Sequence, residues 1–263
     1  MKRKFKEHLK KEKKILVGMI HVPALPGTPK NYLTKKEIIN KCVKEAKILK
    51  KHEFNTVMIE NMHDIPYTKN IHPRVPKIMA KIGKEIKKLG LYCGIQILAA
   101  GNKQALKAAK KANLDFIRAE GFVYAHIADE GYIESCAGEL LRYRKKINAE
   151  EILIFTDIKK KHCSHSITKD TSIEETAHTA EFFLSDGIIV TGVSTGTQAN
   201  IEEVKRVKKT TKLPVLIGSG ITSKNLKAYF NHTDLFIVGS YIKEKGYWKN
   251  ELDEIRIEKL KYL

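Results

Sequence analysis

The amino-acid sequence predicts an α/β fold, a single (β/α)8 barrel of the TIM type preceded by a short basic N-terminal helix. Eight apolar, β-rich runs recur along the 263 residues, and amphipathic stretches with helical spacing separate them. Strands that alternate with helices form a parallel sheet, and eight such units in about 250 residues match a closed barrel. A doubly wound open sheet is the alternative, but the Gly-x-Gly-x-x-Gly turn typical of it does not follow the first strand.

The predicted elements begin with a basic segment, residues 1–14, in which eight Lys or Arg side chains accompany Glu7 and Glu12. We expect this segment to be helical. Residues 15–263 are assigned to the barrel, because no Pro-, Gly- or Ser-rich linker divides them. The eight strands are predicted at Ile15–Val22, Thr56–Glu60, Tyr92–Leu98, Phe116–Glu120, Ile152–Ile158, Gly187–Thr191, Pro214–Ser219 and Leu235–Gly239.

Helix starts and one long connection complete the predicted layout. Three pairs of residues place a capping oxygen three positions before a carboxylate, namely Thr34 with Glu37, Ser172 with Glu175, and Asn200 with Glu203. Residues 121–137, after the fourth strand, are the longest segment without a predicted element. Long connections in compact domains usually act as lids or binding loops, so this segment is our candidate lid.

The composition is that of a folded protein with a strongly basic surface. Hydrophobic residues make up 42% of the chain, which is too apolar for a disordered protein. The formal net charge is +19, but no aromatic residues are interleaved with the basic ones as in nucleic-acid-binding modules. No uncharged apolar run approaches the roughly 18 residues that a membrane span needs. We therefore expect a solvated lysine face, with neither nucleic acid nor membrane as a partner.

The four cysteines are widely spaced and include no Cys-x-x-Cys pair. This usage indicates a reducing compartment. The basic N-terminal segment is Lys-rich, contains two glutamates and lacks serine, which is unlike an organelle-targeting peptide. We expect a cytoplasmic protein.

Two glycine-rich strand ends are the most specific local feature. In this fold the residues that act on a substrate lie at the carboxyl ends of the strands, and loops after the seventh and eighth strands frequently hold phosphate. Gly218, Ser219 and Gly220 follow the seventh predicted strand, and Gly239 and Ser240 follow the eighth. Glycine lets backbone N–H groups approach an anion, so we predict a phosphate cradle here. The alternative is that these glycines merely permit tight strand-to-helix turns.

Ionisable side chains at other strand ends are the candidate catalytic residues. Asp157 and Lys159 are two residues apart on the fifth strand, so we expect their side chains to leave the same face and share one pocket. A structural ion pair at the barrel mouth is the alternative. Glu60 ends an apolar strand, where a carboxylate is costly unless a partner or a substrate meets it. Arg118 and Glu120 share a strand face, which favours an internal salt bridge between them.

The remaining candidates are predicted to bind or orient the substrate. They are His21, Asn61, Arg118, Glu120, Asp129 and His162. No metal site is predicted, because His21 lacks the second histidine of a His-x-His pair and His162-Cys163-x-His165 has no established ligand spacing. No cofactor is identified, and whether a divalent metal joins Glu60 and Asp157 is left open.

Six segments carry motifs of one known family. They are Gly18–Gly27, Ile59–Asn61, Phe116–Gly121, Ala128–Gly131, Thr156–His162 and Ile217–Thr222. Through these motifs the chain resembles the BtpA/SgcQ family along nearly its whole length. It is most similar to the branch with Ala-Glu-Gly-Phe in strand 4, here Ala119–Phe122, and Cys-Ala-Gly-Glu-Leu-Leu-Arg-Tyr-Arg afterwards, here Cys136–Arg144.

The resemblance implies a barrel of the ribulose-phosphate-binding type, which agrees with the predicted phosphate cradle. It does not imply a reaction. The cyanobacterial branch is tied to accumulation of photosystem I, and the SgcQ branch sits with carbohydrate genes and is described as a candidate nucleosidase. Many bacterial members carry Arg-Val-Asn at the end of strand 4, where this chain has Arg118-Ala119-Glu120, so a bacterial activity need not transfer.

Two hypotheses about function follow. In the first, the protein is an enzyme, nucleosidase-like or another hydrolase, or a lyase, that acts on a phosphorylated sugar or nucleotide-like metabolite. Glu60, Asp157 and Lys159 would transfer protons, and the segment around Asp129 would close over the substrate. In the second, the protein is a non-catalytic assembly or stability factor that docks through its lysine-rich exterior. Homo-oligomerisation is left open in both.

Overall fold

Eight parallel strands close into a barrel in the computed structural model, which describes residues 4–12, 14–192 and 194–260. The ring closes where the first strand pairs with the last, with Ile15 opposite Leu235. The barrel strands are β1 (Ile15–His21), β2 (Thr56–Glu60), β3 (Tyr92–Gln96), β4 (Phe116–Ala119), β7 (Leu153–Ile158), β9 (Gly187–Val190), β10 (Val215–Ile217) and β11 (Leu235–Val238). All eight predicted strands are present, so the (β/α)8 fold is confirmed.

Seven of the described helices connect consecutive barrel strands, one precedes β1 and one follows β11. They are α1 (Lys4–Lys11), α2 (Lys35–Lys51), α3 (Arg74–Lys87), α4 (Asn102–Ala112), α5 (Ala137–Lys146), α6 (Ile173–Phe182), α7 (Ile201–Thr210), α8 (Leu226–Tyr229) and α9 (Glu254–Glu258). None of the helices in the described ranges combines the length and the apolarity required to cross a bilayer.

The predicted N-caps are confirmed for all three helices, and two of them form a capping box. Thr34 and Ser172 each form a reciprocal capping box with the glutamate three positions later. Asn200 also caps its helix, but its side chain accepts a hydrogen bond from the amide of Glu202 at 2.9 Å. The expected partnership of Asn200 with Glu203 is therefore wrong, because the amide of the second helical residue satisfies the cap.

The connection after β4 is structured, which corrects the expectation for residues 121–137. Strands β5 (His126–Ala128) and β6 (Gly131–Ile133) form an antiparallel hairpin, and β5 also pairs with β8 (Cys163–Ser164) in the loop after β7. The hairpin was not predicted because each of its strands is only three residues long. Pairing with a distant loop satisfies its backbone groups and joins the two connections into one small sheet.

Alternation along the barrel strands creates two apolar cores. Outward side chains such as Ile20 and Ile154 pack against the helices, whereas inward ones such as Met19 and Phe155 fill the barrel. The period of two continues to the carboxyl end of each strand. There the inward positions are polar or glycine, namely His21, Glu60, Gln96, Arg118, Asp157, Thr191, Gly218 and Gly239. The strand pattern therefore places the candidate residues at one end of the barrel.

Helix α1 closes the opposite, amino-terminal end. The Phe5 side chain is 5% exposed and stacks on Phe116 inside the barrel, with ring centroids 5.3 Å apart. Phe116 in turn contacts Phe155, at 5.2 Å. Gly94 makes room for this layer, because a Cβ atom there would lie 2.0 Å from the Phe116 ring. The basic N-terminal helix is thus anchored by an aromatic side chain that forms the floor of the barrel.

We expect Phe5→Ala to lower the free energy of unfolding by about 3 kcal/mol, because it removes a buried ring and leaves a cavity beside Phe116. Urea denaturation followed by circular dichroism measures this change. The control is Phe182→Ala on α6, where the side chain is 75% exposed and the expected change is about 0.5 kcal/mol or less. Equal effects of the two substitutions would contradict the assignment of Phe5 to the barrel floor.

Candidate functional site

A cleft at the carboxyl-terminal end of the barrel brings together eight of the predicted site residues. They are His21, Glu60, Arg118, Gly218, Ser219, Gly220, Gly239 and Ser240. The cleft is completed by Thr195, a polar residue after the sixth predicted strand, and by two residues that the sequence did not single out, Lys161 from the loop after β7 and Gly196 from the loop after β9. The predicted phosphate cradle and several of the predicted ionisable groups therefore line one space.

Arg118 and Asp157 form a buried ion pair next to this cleft. The guanidinium Nε and Nη2 each donate a hydrogen bond of 2.8 Å to a different oxygen of Asp157. This contact joins neighbouring strands, since β4 pairs with β7. The expected salt bridge between Arg118 and Glu120 is therefore wrong. A bidentate contact with Asp157 uses the planar fork of the guanidinium better than a neighbour on the same strand does.

Glu120 is held by protein groups on the other side of the strand end. Its carboxylate accepts hydrogen bonds from Gln96 Nε2 at 3.1 Å and from the amide of Ala100 at 2.7 Å. The Lys160 ammonium lies 3.4 Å from the same carboxylate. These contacts satisfy Glu120, which lines a separate groove beside Tyr132 of the hairpin.

Glu60 and Lys161 face the cleft without hydrogen-bond partners in the part of the chain that the structure describes. Burial raises the pKa of the Glu60 carboxyl above its usual range, and the positive charges of Arg118 and Lys161 only partly oppose this effect. Burial lowers the pKa of Lys161 to about 8, and the Arg118 guanidinium lowers it further. The pKa of Glu60 is therefore shifted upward and that of Lys161 downward, which are the directions that favour proton exchange.

Lys159 is not part of this cluster, so the expected shared pocket with Asp157 is wrong. Strand β7 ends at Ile158, and Lys159 takes a left-handed backbone conformation with φ of 45°. Its ammonium donates a hydrogen bond to the carbonyl of Thr168 at 3.2 Å. The turn breaks the period of two, and Lys161 takes the place of Lys159 in the cleft. The lysine run 159–161 was the available signal, but spacing alone does not say which member turns inward.

The glycine-rich strand ends line the cleft, and four of their backbone amides are not used elsewhere among the described residues. The amides of Ser219, Gly220, Gly239 and Ser240 donate no hydrogen bond to another described residue. The amide of Gly218 differs, since it donates to the Val190 carbonyl at 2.9 Å. Four unpaired amides at the ends of β10 and β11 provide donors for an anion.

Ser219 and Gly220 also have structural roles that the sequence did not reveal. The Ser219 hydroxyl accepts from the amide of Gly192 and donates to the carbonyl of Thr197, both at 2.8 Å. Its hydroxyl is therefore engaged, which leaves only its backbone for a phosphate. Gly220 has φ of 69°, and a Cβ atom there would lie 2.3 Å from the amide nitrogen of Gln198. Close packing against the β9 loop thus explains one glycine independently of any ligand.

His21 forms one wall of the cleft in a defined protonation state. Its Nδ1 lies 3.1 Å from the carbonyl oxygen of Trp248, and because a carbonyl only accepts, Nδ1 carries the proton. Burial lowers the pKa of His21 to about 3, and the Lys243 ammonium adds to this effect. The ring is therefore neutral at pH 7. Its Nε2, on the side of Gly239, is a hydrogen-bond acceptor.

Three other predicted substrate contacts lie outside the cleft. Asn61 accepts from the amide of Leu98 at 2.8 Å and donates to Asp64 at 2.9 Å, so its side chain holds two loops together. Asp129 is exposed in the turn of the hairpin. His162 is also exposed, but its Nε2 accepts a hydrogen bond from the amide of Thr195 at 3.3 Å. His162 therefore positions a cleft residue.

Among the described residues, no three His, Cys, Asp or Glu side chains are grouped so that they could hold a metal ion. Both oxygens of Asp157 are engaged by Arg118, so this carboxylate is not free to join Glu60 as a ligand. The polar groups of the cleft are then backbone amides, the Arg118 guanidinium, the Lys161 ammonium, the Glu60 carboxyl, the His21 imidazole and the hydroxyls of Thr195 and Ser240.

Comparison with solved structures shows the same fold. Thiamine phosphate pyrophosphorylase from Pyrococcus furiosus superimposes with a TM-score of 0.60 at 13% sequence identity. The match covers 97% of this chain and 96% of that enzyme. At this level of identity the likeness concerns the barrel alone.

Comparison of sequences shows the family. A protein of Caenorhabditis elegans that is labelled mitochondrial is 50% identical over 258 residues, which cover 95% of this chain and 93% of that protein. The photosystem I biogenesis protein BtpA of Synechocystis is 29% identical over 245 residues, 92% of this chain and 85% of that protein. The model of the BtpA family matches residues 12–262. The chain therefore belongs to the BtpA family, as its motifs predicted.

Proposed function

We propose that this protein is an enzyme that binds a phosphorylated sugar or nucleotide-like metabolite in the cleft and transfers protons on it. The observation that carries the proposal is the presence, in one cleft, of four unpaired amides together with Glu60 and Lys161, which have shifted pKa values and no hydrogen bonds to the described residues. A carboxyl and an ammonium that are buried without partners cost stability, and a ligand that pairs with them offsets this cost.

The amides of Ser219, Gly220, Gly239 and Ser240 would hold the phosphate. Backbone N–H groups act as fixed dipoles that favour an anion, and their place after the seventh and eighth barrel strands matches the usual phosphate position of this fold. Lys161 would add a full positive charge beside them. The Pyrococcus furiosus enzyme with the same fold is named for thiamine phosphate, a phosphorylated compound, and this supports the same class of ligand.

Glu60 and Lys161 would act on the part of the substrate that lies next to the phosphate. A carboxyl with a raised pKa and an ammonium with a lowered one can serve as a general base and a general acid at neutral pH. We thus give Lys161 the role that the sequence suggested for Lys159. Arg118 would stay fixed on Asp157 and keep its positive charge near the reacting groups. His21 Nε2 would accept a hydrogen bond from a substrate hydroxyl.

A second candidate function is a non-catalytic assembly factor, which the name of the Synechocystis relative favours. The net charge of +19 would then serve for docking to an acidic partner. Such a protein would capture a macromolecule in a salt-dependent way, and phosphate would not stabilise it through the cleft.

Lys161→Met is expected to weaken the binding of inorganic phosphate about tenfold, because one charge-assisted contact is lost. The measurement is the rise in Tm with phosphate concentration, with sodium chloride used to hold ionic strength constant. Lys159→Met is the matched control, since it removes the same charge two residues away and should bind like the wild type. Equal phosphate dependence in all three proteins would overturn the cleft as the phosphate site.

Sulfate binding should depend on pH through Lys161. The ammonium is present below its pKa of about 8 and is lost as the pH rises through that value. Sulfate keeps its charge in this range, so its affinity should fall about tenfold between pH 7 and pH 9.5. Lys161→Arg keeps a permanent charge and should remove most of this dependence. A pH dependence that survives in Lys161→Arg would assign the titration to another group.

Glu60→Gln should raise the free energy of unfolding by about 1 kcal/mol at pH 8, because it removes a charge that burial disfavours. A carboxyl whose pKa is higher in the folded than in the unfolded protein destabilises the fold as the pH rises from the unfolded pKa through the folded one. The stabilisation by Glu60→Gln should therefore shrink at pH 4. Urea denaturation at both pH values measures it. Glu120→Gln is the control and should destabilise, since the amide of Ala100 and Lys160 depend on that carboxylate.

A further inference from the structure

A second pocket lies beside the cleft and shares His21 with it. It is bounded by the end of β1, by α2 and by residues 243–251 after β11, and its volume of about 220 Å³ exceeds the 40 Å³ of the cleft. We call it the side pocket; its lining includes His21, His63, Lys30, Lys41, Lys243 and Lys249. The proposed function does not use these lysines.

The side pocket carries an excess of positive charge. Lys243 is only 1% exposed and donates a hydrogen bond of 2.7 Å to Glu45. Lys41 pairs with Glu251 at 2.7 Å. Lys30 and Lys249 have no carboxylate partner within residues 4–12, 14–192 and 194–260. Four lysines against two carboxylates leave two unneutralised ammonium groups at one pocket.

Two histidines on the wall of the side pocket respond to this charge. Burial lowers the pKa of His63 to about 4, and Lys243 and Lys249 lower it further. Burial and Lys243 likewise keep His21 neutral at pH 7. Neutral imidazoles avoid adding to the positive charge and still offer hydrogen bonds. The pocket therefore combines a positive potential with uncharged polar groups.

Trp248 lies next to the side pocket, against two histidines that line it. Its ring centroid lies 4.9 Å from that of His63 and 5.8 Å from that of His21. The Lys249 ammonium lies 5.2 Å from the Trp248 ring, a cation–π distance that keeps this charge close to the pocket. Trp248 is the only tryptophan in the chain, so its fluorescence reports on the surroundings of these two histidines.

We propose that the side pocket binds a second anionic group, a phosphate or a carboxylate, of the same metabolite whose phosphate occupies the cleft. This inference rests on the proposed function and names its substrate class: a hydroxylated carbon chain with an anionic group at each end. Lys30 and Lys249 supply the charge for the second group. His21 stands between the two sites, where its Nε2 accepts a hydrogen bond from a hydroxyl of the chain that connects them.

The first test is a titration of the protein with inorganic phosphate or acetate at constant ionic strength, followed by Trp248 fluorescence. The double variant Lys30→Met/Lys249→Met should weaken the fluorescence-detected binding at least tenfold, while Lys161→Met should leave it unchanged. A response to phosphate alone identifies a phosphate subsite, and a response to both anions identifies one that accepts carboxylates. The control Lys107→Met/Lys146→Met removes two exposed lysines and should bind like the wild type.

The second test asks whether one molecule spans both sites. Glucose 1,6-bisphosphate and 6-phosphogluconate are each compared with glucose 6-phosphate, which lacks the second anionic group. At least one of the two should bind tenfold or more tightly than glucose 6-phosphate, and Lys30→Met/Lys249→Met should abolish the difference. Equal affinities, or no binding of any of the three, would overturn the claim.

The two proposals fail in different ways. If Trp248 fluorescence shows no anion binding that depends on Lys30 and Lys249, the side-pocket proposal is overturned. The proposed function then stands as long as Lys161→Met still weakens the phosphate-dependent rise in Tm. Loss of that Lys161 dependence overturns the proposed function, whatever Trp248 reports.

Discussion

The bidentate contact between Arg118 and Asp157 organises the mouth of the barrel. One partner comes from β4 and the other from β7, and the two parallel hydrogen bonds fix the guanidinium plane and occupy both carboxylate oxygens. A guanidinium held in this way stays charged. It lowers the pKa of Lys161 and offsets part of the burial cost of Glu60. The pKa values of Glu60 and Lys161, which have no hydrogen-bond partners, thus depend partly on the ion pair between Arg118 and Asp157.

The inward faces of the strands explain why these charges act strongly on one another. Phe116 and Phe155 stand two positions before Arg118 and Asp157, so each charged residue lies directly above an aromatic ring in the barrel interior. Phe5 seals the layer below. Apolar side chains lie below the charged groups, and a surrounding of low polarity strengthens the electrostatic interactions there.

Much of this arrangement could be predicted from the sequence, because strand alternation is local and periodic. It placed Glu60, Arg118 and the glycines at one end of the barrel. Strand alternation could not predict which residues pair across strands. Arg118 bonds Asp157 on β7, although Glu120 is nearer in sequence. The left-handed turn at Lys159 could not be predicted from the sequence either, since non-glycine residues with positive φ follow no simple pattern. That turn decides which lysine enters the cleft.

Closure of the ring between β1 and β11 has a consequence for how the chain is made. The first strand pairs with the last, so the barrel is incomplete until Leu235 and its neighbours have left the ribosome. Phe5 is synthesised before the rings that receive it. Helix α1 can therefore dock on the barrel floor only after β4 and β7 have been made, and until then an apolar side chain remains exposed among lysines.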